Sequence, residues 1–287
     1  MKKLKQIIAQ VKDFASGPSA ELNDLLWQLI CYQPKMPLRL HQEQLMNEAE
    51  KFSITVNDEY FTHKHLLING FKWGTGKHTV LITHGWGSKA ADFTEMITAL
   101  KDNPLLTIIA FDAPANGSSD GELANLLLFV AAVKQVVHKF GPPNVAIGHS
   151  FGAMANVVAL QQVAIAPKLL ISLTPFILLQ ENFIASMNAA GVLPAAQDMF
   201  LDSFEKTYGV PASYYNLNRL YQFDAALNHW LAYDEHDTTL PYAYLQEFLT
   251  HNPSIKTKNY DNAGHAAIVK NPELIADIIM QIDAVIK

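Results

Sequence analysis

Six short runs of apolar and β-branched residues recur along the chain, at 79–83, 107–111, 144–148, 169–173, 229–233 and 255–259. Between most of them lie amphipathic stretches long enough to form helices. Runs that are apolar throughout are strands covered on both faces, and strands spaced by helices pair in parallel. The expected fold class is therefore α/β, a mostly parallel central sheet flanked by helices. The last run carries Lys256 and Lys258, as suits an edge strand. Upstream, residues 52–56 and 65–68 read as antiparallel strands, joined to the 79–83 strand by a hairpin turn at Gly74-Thr75-Gly76. That turn superficially resembles a phosphate-binding loop. It lacks a glycine five positions before Gly76 and leads into a strand instead of a helix, so the phosphate-cradling geometry is not expected.

Two segments depart from this rhythm. Residues 175–222 mix large apolar side chains such as Phe176, Phe183, Phe200 and Phe204 with Asn, Gln, Gly and Pro, and are expected to form a helical cap over the sheet. Residues 1–50 read as a separate helical lead-in, punctuated by Gly17-Pro18 and by Pro34 to Pro37, ahead of a main domain at 51–287. Within the lead-in, Leu4, Ile7, Ile8, Val11 and Phe14 recur at helical spacing among Lys and Gln over residues 1–15. This is the pattern of an amphipathic helix and not of a signal peptide.

Composition narrows the function. Of 287 residues, 49% are hydrophobic and 17% charged, which fits a packed interior and argues against disorder. The net charge of −6 is spread without long runs of one sign, so nucleic-acid binding is not expected. No stretch approaches the roughly 20 apolar residues of a membrane span, and a cytoplasmic protein is expected. Cys31 is the single cysteine and sits in an apolar run, where packing is its expected role. His63 and His65 alternate along a strand without a third ligand nearby in sequence, and read as a solvated face.

The sharpest chemical signal is Gly148-His149-Ser150-Phe151-Gly152, between the 144–148 strand and a helix beginning near Ala153. In that context G-x-S-x-G marks a nucleophile on a strained strand-to-helix turn, with glycines where side chains would collide with neighbouring backbone. Ser150 would thereby stand at a helix N-terminus, which favours negative charge. Directly after the 79–83 strand comes His84-Gly85-Trp86-Gly87, a tight loop able to turn the Trp86 N–H toward that serine. Together with the Phe151 N–H it would form an oxyanion hole. His84 is read as a structural histidine of the loop.

The order of these motifs, with Phe111-Asp112-Ala113-Pro114 between them and Gly264-His265 near the end, resembles the α/β-hydrolase superfamily, in particular its lipase- and esterase-like branch. The resemblance spans residue 52 to the C-terminus. It departs at Ala115-Asn116-Gly117-Ser118-Ser119, where the family usually shows Gly-His-Gly-x-Ser; Gly117 and Ser119 match, while Ala115 and Asn116 do not. The resemblance implies a triad in the order Ser, acid, His, with Ser150 as nucleophile and His265 as general base. Its D-x-x-D pattern falls on Asp234 and Asp237 and selects Asp237 as the acid, with Asp234 as the alternative.

These residues imply a serine hydrolase that cleaves a carboxylic ester, with a small to medium apolar acyl group, through an acyl-enzyme. No metal or organic cofactor is required, the partner is a small-molecule ester or thioester, and a homo-oligomer is allowed. The same triad also serves thioesterases, acyltransferases, amidases, C–C hydrolases and lipases, and the fold can carry a non-catalytic binding protein.

Overall fold

The computed structural model describes residues 2–14 and 17–286. Its centre is one eight-stranded sheet made of β1 (Glu50–Asn57), β2 (His65–Trp73), β3 (His78–Thr83), β4 (Leu106–Phe111), β5 (Val145–His149), β6 (Leu169–Leu173), β7 (His229–Tyr233) and β8 (Lys256–Asn259). The spatial order is β1-β2-β4-β3-β5-β6-β7-β8. β1 and β2 are antiparallel, β2 runs antiparallel to β4, and every pair from β4 to β8 is parallel.

Side-chain alternation explains why the sheet needs cover on both faces. Leu81, Ile109, Ala146, Leu170 and Leu231 point into one core. Val80, Ile82, Ile108, Val145, Ile147, Ile171 and Trp230 point into the other. The first core is roofed by α1 (Lys2–Asp13), α2 (Ala20–Cys31), α5 (Leu126–Phe140) and α6 (Phe151–Gln162), the second by α3 (Leu40–Glu48), α4 (Thr94–Lys101) and α11 (Pro272–Ile286). Helix ends follow local chemistry. The Ser19 hydroxyl accepts from the Leu22 N–H to start α2, and the Asn125 side chain accepts from the Leu128 N–H to start α5. The first helix closes at Asp13, and Ala15, the end of the segment expected to be helical, lies outside the described residues.

Between β6 and β7 the chain leaves the sheet for α7 (Leu179–Ala189), α8 (Pro194–Tyr208), a 3-10 turn at Ala212–Tyr214 and α9 (Leu217–Leu220), before α10 (Tyr242–His251) covers the β7–β8 crossover. This is the helical cap. No described helix is long and apolar enough to cross a membrane.

One connection differs from expectation. Gly74–Lys77 is not a hairpin turn, because β4 is inserted between β2 and β3. The segment arches over the start of β4: the Gly76 N–H donates to Leu106 O, the His78 N–H to Leu105 O, and the Thr107 hydroxyl to Gly76 O. The antiparallel sense of β2 relative to β3 is kept, but pairing with β4 buries more apolar surface than an isolated two-stranded ribbon would.

Candidate active site

From β3 the chain steps outward to β4 in one direction and to β5 in the other, so the loops after β3 and β5 diverge from a shared crevice. Such a switch point at the carboxyl ends of parallel strands is where open α/β sheets hold ligands. Ser150 occupies it, at φ 51° and ψ −118°, between the last residue of β5 and the first of α6. Leu173 O accepts from its N–H, while its own carbonyl accepts from the Ala153 and Phe176 N–H groups, so neighbouring structure holds the strained backbone. Gly152 is required here by close approach: a Cβ would lie 2.3 Å from His84 O.

Two loops bring partners to Ser150. His265 Nε2 lies 3.0 Å from Ser150 Oγ, and His265 Nδ1 lies 2.6 Å from Asp237 Oδ2. With the proton on Nδ1 and donated to Asp237, Nε2 is free to accept the serine proton. Burial alone pushes the Asp237 carboxyl up. The hydrogen bond with His265, its charge, and the Thr239 and Leu240 N–H groups outweigh burial and hold the carboxyl below its ordinary value. Asp234 is directed elsewhere: its oxygens accept from the His236 and Gly264 N–H groups. Of the two acids in the D-x-x-D pattern, it is Asp237 that reaches His265. Asp234 instead ties the loop after β7 to the loop that carries His265, as does His236, whose Nδ1 is 2.8 Å from Asp261 Oδ1.

The loop after β3 packs directly on this turn. A Cβ on Gly85 would stand 3.1 Å from Ser150 Cβ and 2.9 Å from His149 Nδ1. Neither the Trp86 N–H nor the Phe151 N–H meets a backbone acceptor among the described residues. The Trp86 ring packs edge-on against Phe151 and stacks with Phe129. His84 is fully buried and lies 2.7 Å from Gly85 O through Nδ1, while Nε2 accepts from the Ala113 N–H. Both ring nitrogens are thereby used to shape the loop. His149 was not singled out from sequence. Its Nε2 is 2.9 Å from His265 O, so it anchors the backbone of the loop that carries His265, and burial together with the adjacent His265 pushes it down to about 3. The signal lay in the motif itself, where the first variable position is a histidine.

The turn opens into a cavity of about 540 Å³. Its lining includes Ser150 and His265, the cap residues Phe176, Leu179, Phe183 and Phe204, and Leu29, Ile30 and Cys31 of α2. The helical lead-in is thus a wall of the site. It is fastened to the cap by Trp27, whose Nε1–H donates to Ser203 Oγ and whose ring packs on Phe200, Phe204 and Tyr208. The sequence offered no means of pairing α2 with a helix so distant along the chain. Cys31 is buried, and burial raises its thiol far above the ordinary value, as a packing role requires. Ala115 adopts φ 66° where the resemblance calls for glycine. The adjacent Ser119 hydroxyl, which donates to Asp112 O and accepts from the Asn69 N–H, holds that loop between β2 and β4.

A mostly parallel sheet with its site at the switch point places the chain among the open-sheet α/β proteins. The chain belongs to the Alpha/beta hydrolase family, whose profile matches residues 80–278. Among solved structures it is similar to an esterase from Pyrococcus furiosus, at 18% identity and TM-score 0.61, covering 90% of this chain and 99% of that one. It is similar to a thermophilic esterase from Thermogutta terrifontis, at 16% identity and TM-score 0.59, covering 82% and 100%. An epoxide hydrolase from Vigna radiata is similar at 14% identity and TM-score 0.57, covering 83% and 99%. Comparison with curated proteins gives no match.

Proposed function

We propose that the chain is a serine hydrolase that cleaves carboxylic esters of small to medium, largely apolar acids through an acyl-enzyme. The observation that carries this reading is the continuous chain of contacts from Asp237 Oδ2 to His265 to Ser150 Oγ at the mouth of the cavity. The fold alone does not choose among reactions, since similar structures include an epoxide hydrolase as well as esterases. A hydroxyl backed by an imidazole and a carboxylate is suited to acyl transfer.

Ser150 Oγ attacks the ester carbonyl as His265 Nε2 takes its proton, and Asp237 stabilises the imidazolium without accepting the proton itself. The Trp86 and Phe151 N–H groups receive the developing oxyanion, a contribution of about 2.7–4 kcal/mol per donor in comparable sites. His265 then protonates the departing alcohol, and water repeats the sequence to release the acid. The apolar wall supplied by α2 and the cap encloses the acyl group and sheds water from it. A thioester presents the same carbonyl and is accepted by the same geometry.

Labelling with a fluorophosphonate, with the adduct located by mass spectrometry, tests this reading. An adduct on Ser150 together with ester turnover is expected. Folded protein that takes no label would overturn it in favour of a binding protein on the same fold.

A further inference from the structure

We propose that the cavity wall formed by Asn125, Tyr208 and Tyr215 is a subsite for an oxygen acceptor on the acyl chain, so that the preferred substrates are esters of oxo- or carboxy-substituted acids. The inference deepens the esterase reading and rests on it.

Asn125 sets the geometry. Its side-chain oxygen accepts from the Leu128 N–H at the start of α5, which turns the amide nitrogen outward to donate to the Tyr208 hydroxyl oxygen at 2.8 Å. Having accepted that bond, the Tyr208 hydroxyl has its own proton left to donate. It finds no acceptor among the described residues, and neither does the hydroxyl of Tyr215. All three side chains line the cavity that contains Ser150. Two phenol O–H groups without a partner and the amide that orients one of them therefore border one space.

Neither phenol O–H donates to another lining side chain, the amide of Asn182 and the hydroxyl of Ser186 included. Leu126 and Leu127 open α5 beside Asn125, and the first turn of this 15-residue helix carries no acidic residue. Its partially positive end is capped by the Asn125 oxygen alone, with no carboxylate beside it. The one carboxylate in the lining, Asp92, is occupied by Ser88, Lys89 and Gln42. Burial raises the Tyr215 phenol to about 12 and that of Tyr208 higher still, so both keep their protons at neutral pH. The wall comes from the ends of α5 and α8 and the turn after Ala212–Tyr214, none of which bonds to Ser150 or His265. The acceptor it recognises therefore belongs to a part of the substrate other than the reacting carbonyl. A plain hydrocarbon chain would leave these donors dry, and a site built of buried donors discriminates against a ligand that lacks the acceptor.

The test compares p-nitrophenyl esters of three six-carbon acids: hexanoic, 5-oxohexanoic and adipic. At least one oxygenated ester is expected to exceed the hexanoate in kcat/KM by about tenfold or more, mainly through KM. That ratio should fall toward one in Tyr208→Phe, which keeps the ring in its aromatic cluster. It should also fall in Asn125→Ser, which keeps a helix-capping oxygen but removes the amide donor. Equal rates for all three esters, or a preference that survives both substitutions, overturn the subsite. Calorimetric titration of Ser150→Ala protein with free 5-oxohexanoate and hexanoate separates this proposal from the esterase reading, because it needs no turnover. Tighter binding of the oxo acid supports the subsite even where the wild type hydrolyses nothing, and equal binding of the two acids refutes it.

Discussion

At the scale of single residues, the roles divide by what each oxygen or nitrogen touches. Ser150→Ala removes the proposed attacking atom while leaving the backbone bonds that hold the turn, so turnover should vanish with little change in the thermal unfolding curve. Asp237→Asn should lower kcat by roughly ten-thousand-fold, because an amide opposite Nδ1 favours the wrong tautomer of His265. Asp234 accepts from the His236 and Gly264 N–H groups and does not reach His265, so Asp234→Asn should cost far less activity, with its effect falling on stability instead. Measuring kcat for both variants on one ester decides between them. If Asp234→Asn is the more damaging, the acid has been misassigned.

At the scale of elements, legibility followed the reach of local chemistry. The strands, the turn at Ser150 and the loop at Trp86 were readable because apolar runs and glycine positions report on their immediate surroundings. Two things were not. The insertion of β4 between β2 and β3 depends on which strand offers the better apolar partner, a choice that no property of Gly74–Lys77 encodes. The docking of α2 on α8 likewise depends on complementary shape across the fold: Asn23 and Trp27 meet Phe200, Ser203 and Phe204, yet nothing in them names that partner. Trp27 carries much of that junction. Trp27→Ala should destabilise the protein by about 3–5 kcal/mol in denaturant titration, the usual cost of truncating a large aromatic within a packed cluster. A loss near zero would mean that α2 is seated by its other contacts.

At the scale of the whole molecule, buried imidazoles contribute to the response to acid, His84 being lowered by burial as well as His149 and His229. His149 and His229 are both pushed down to about 3, in each case chiefly by burial, from an ordinary value of 6.5. The unfolded chain takes up protons at these sites before the folded one does. Their contribution to stability is therefore complete above pH 6.5 and is lost as the pH falls toward 3, with each group adding a slope of up to about 1.4 kcal/mol per pH unit. His229→Gln keeps polar atoms near Ser172 and Tyr221 but cannot titrate, so its Tm should fall less than that of the wild type between pH 7.5 and 4.5. Parallel losses would assign the acid sensitivity to other groups. The contact between Trp27 and Ser203 also has a meaning in time, since these residues are 176 positions apart. At roughly 5–20 residues per second on the ribosome, α2 waits on the order of ten seconds or more for α8 to be made. On ribosome-bound chains, protease is expected to cut within α2 until α8 has emerged and to be resisted afterwards. During that interval the nascent chain carries α2 with the face destined for α8 uncovered, so this protein's yield in a cell depends on whatever shelters that face until the cap is made.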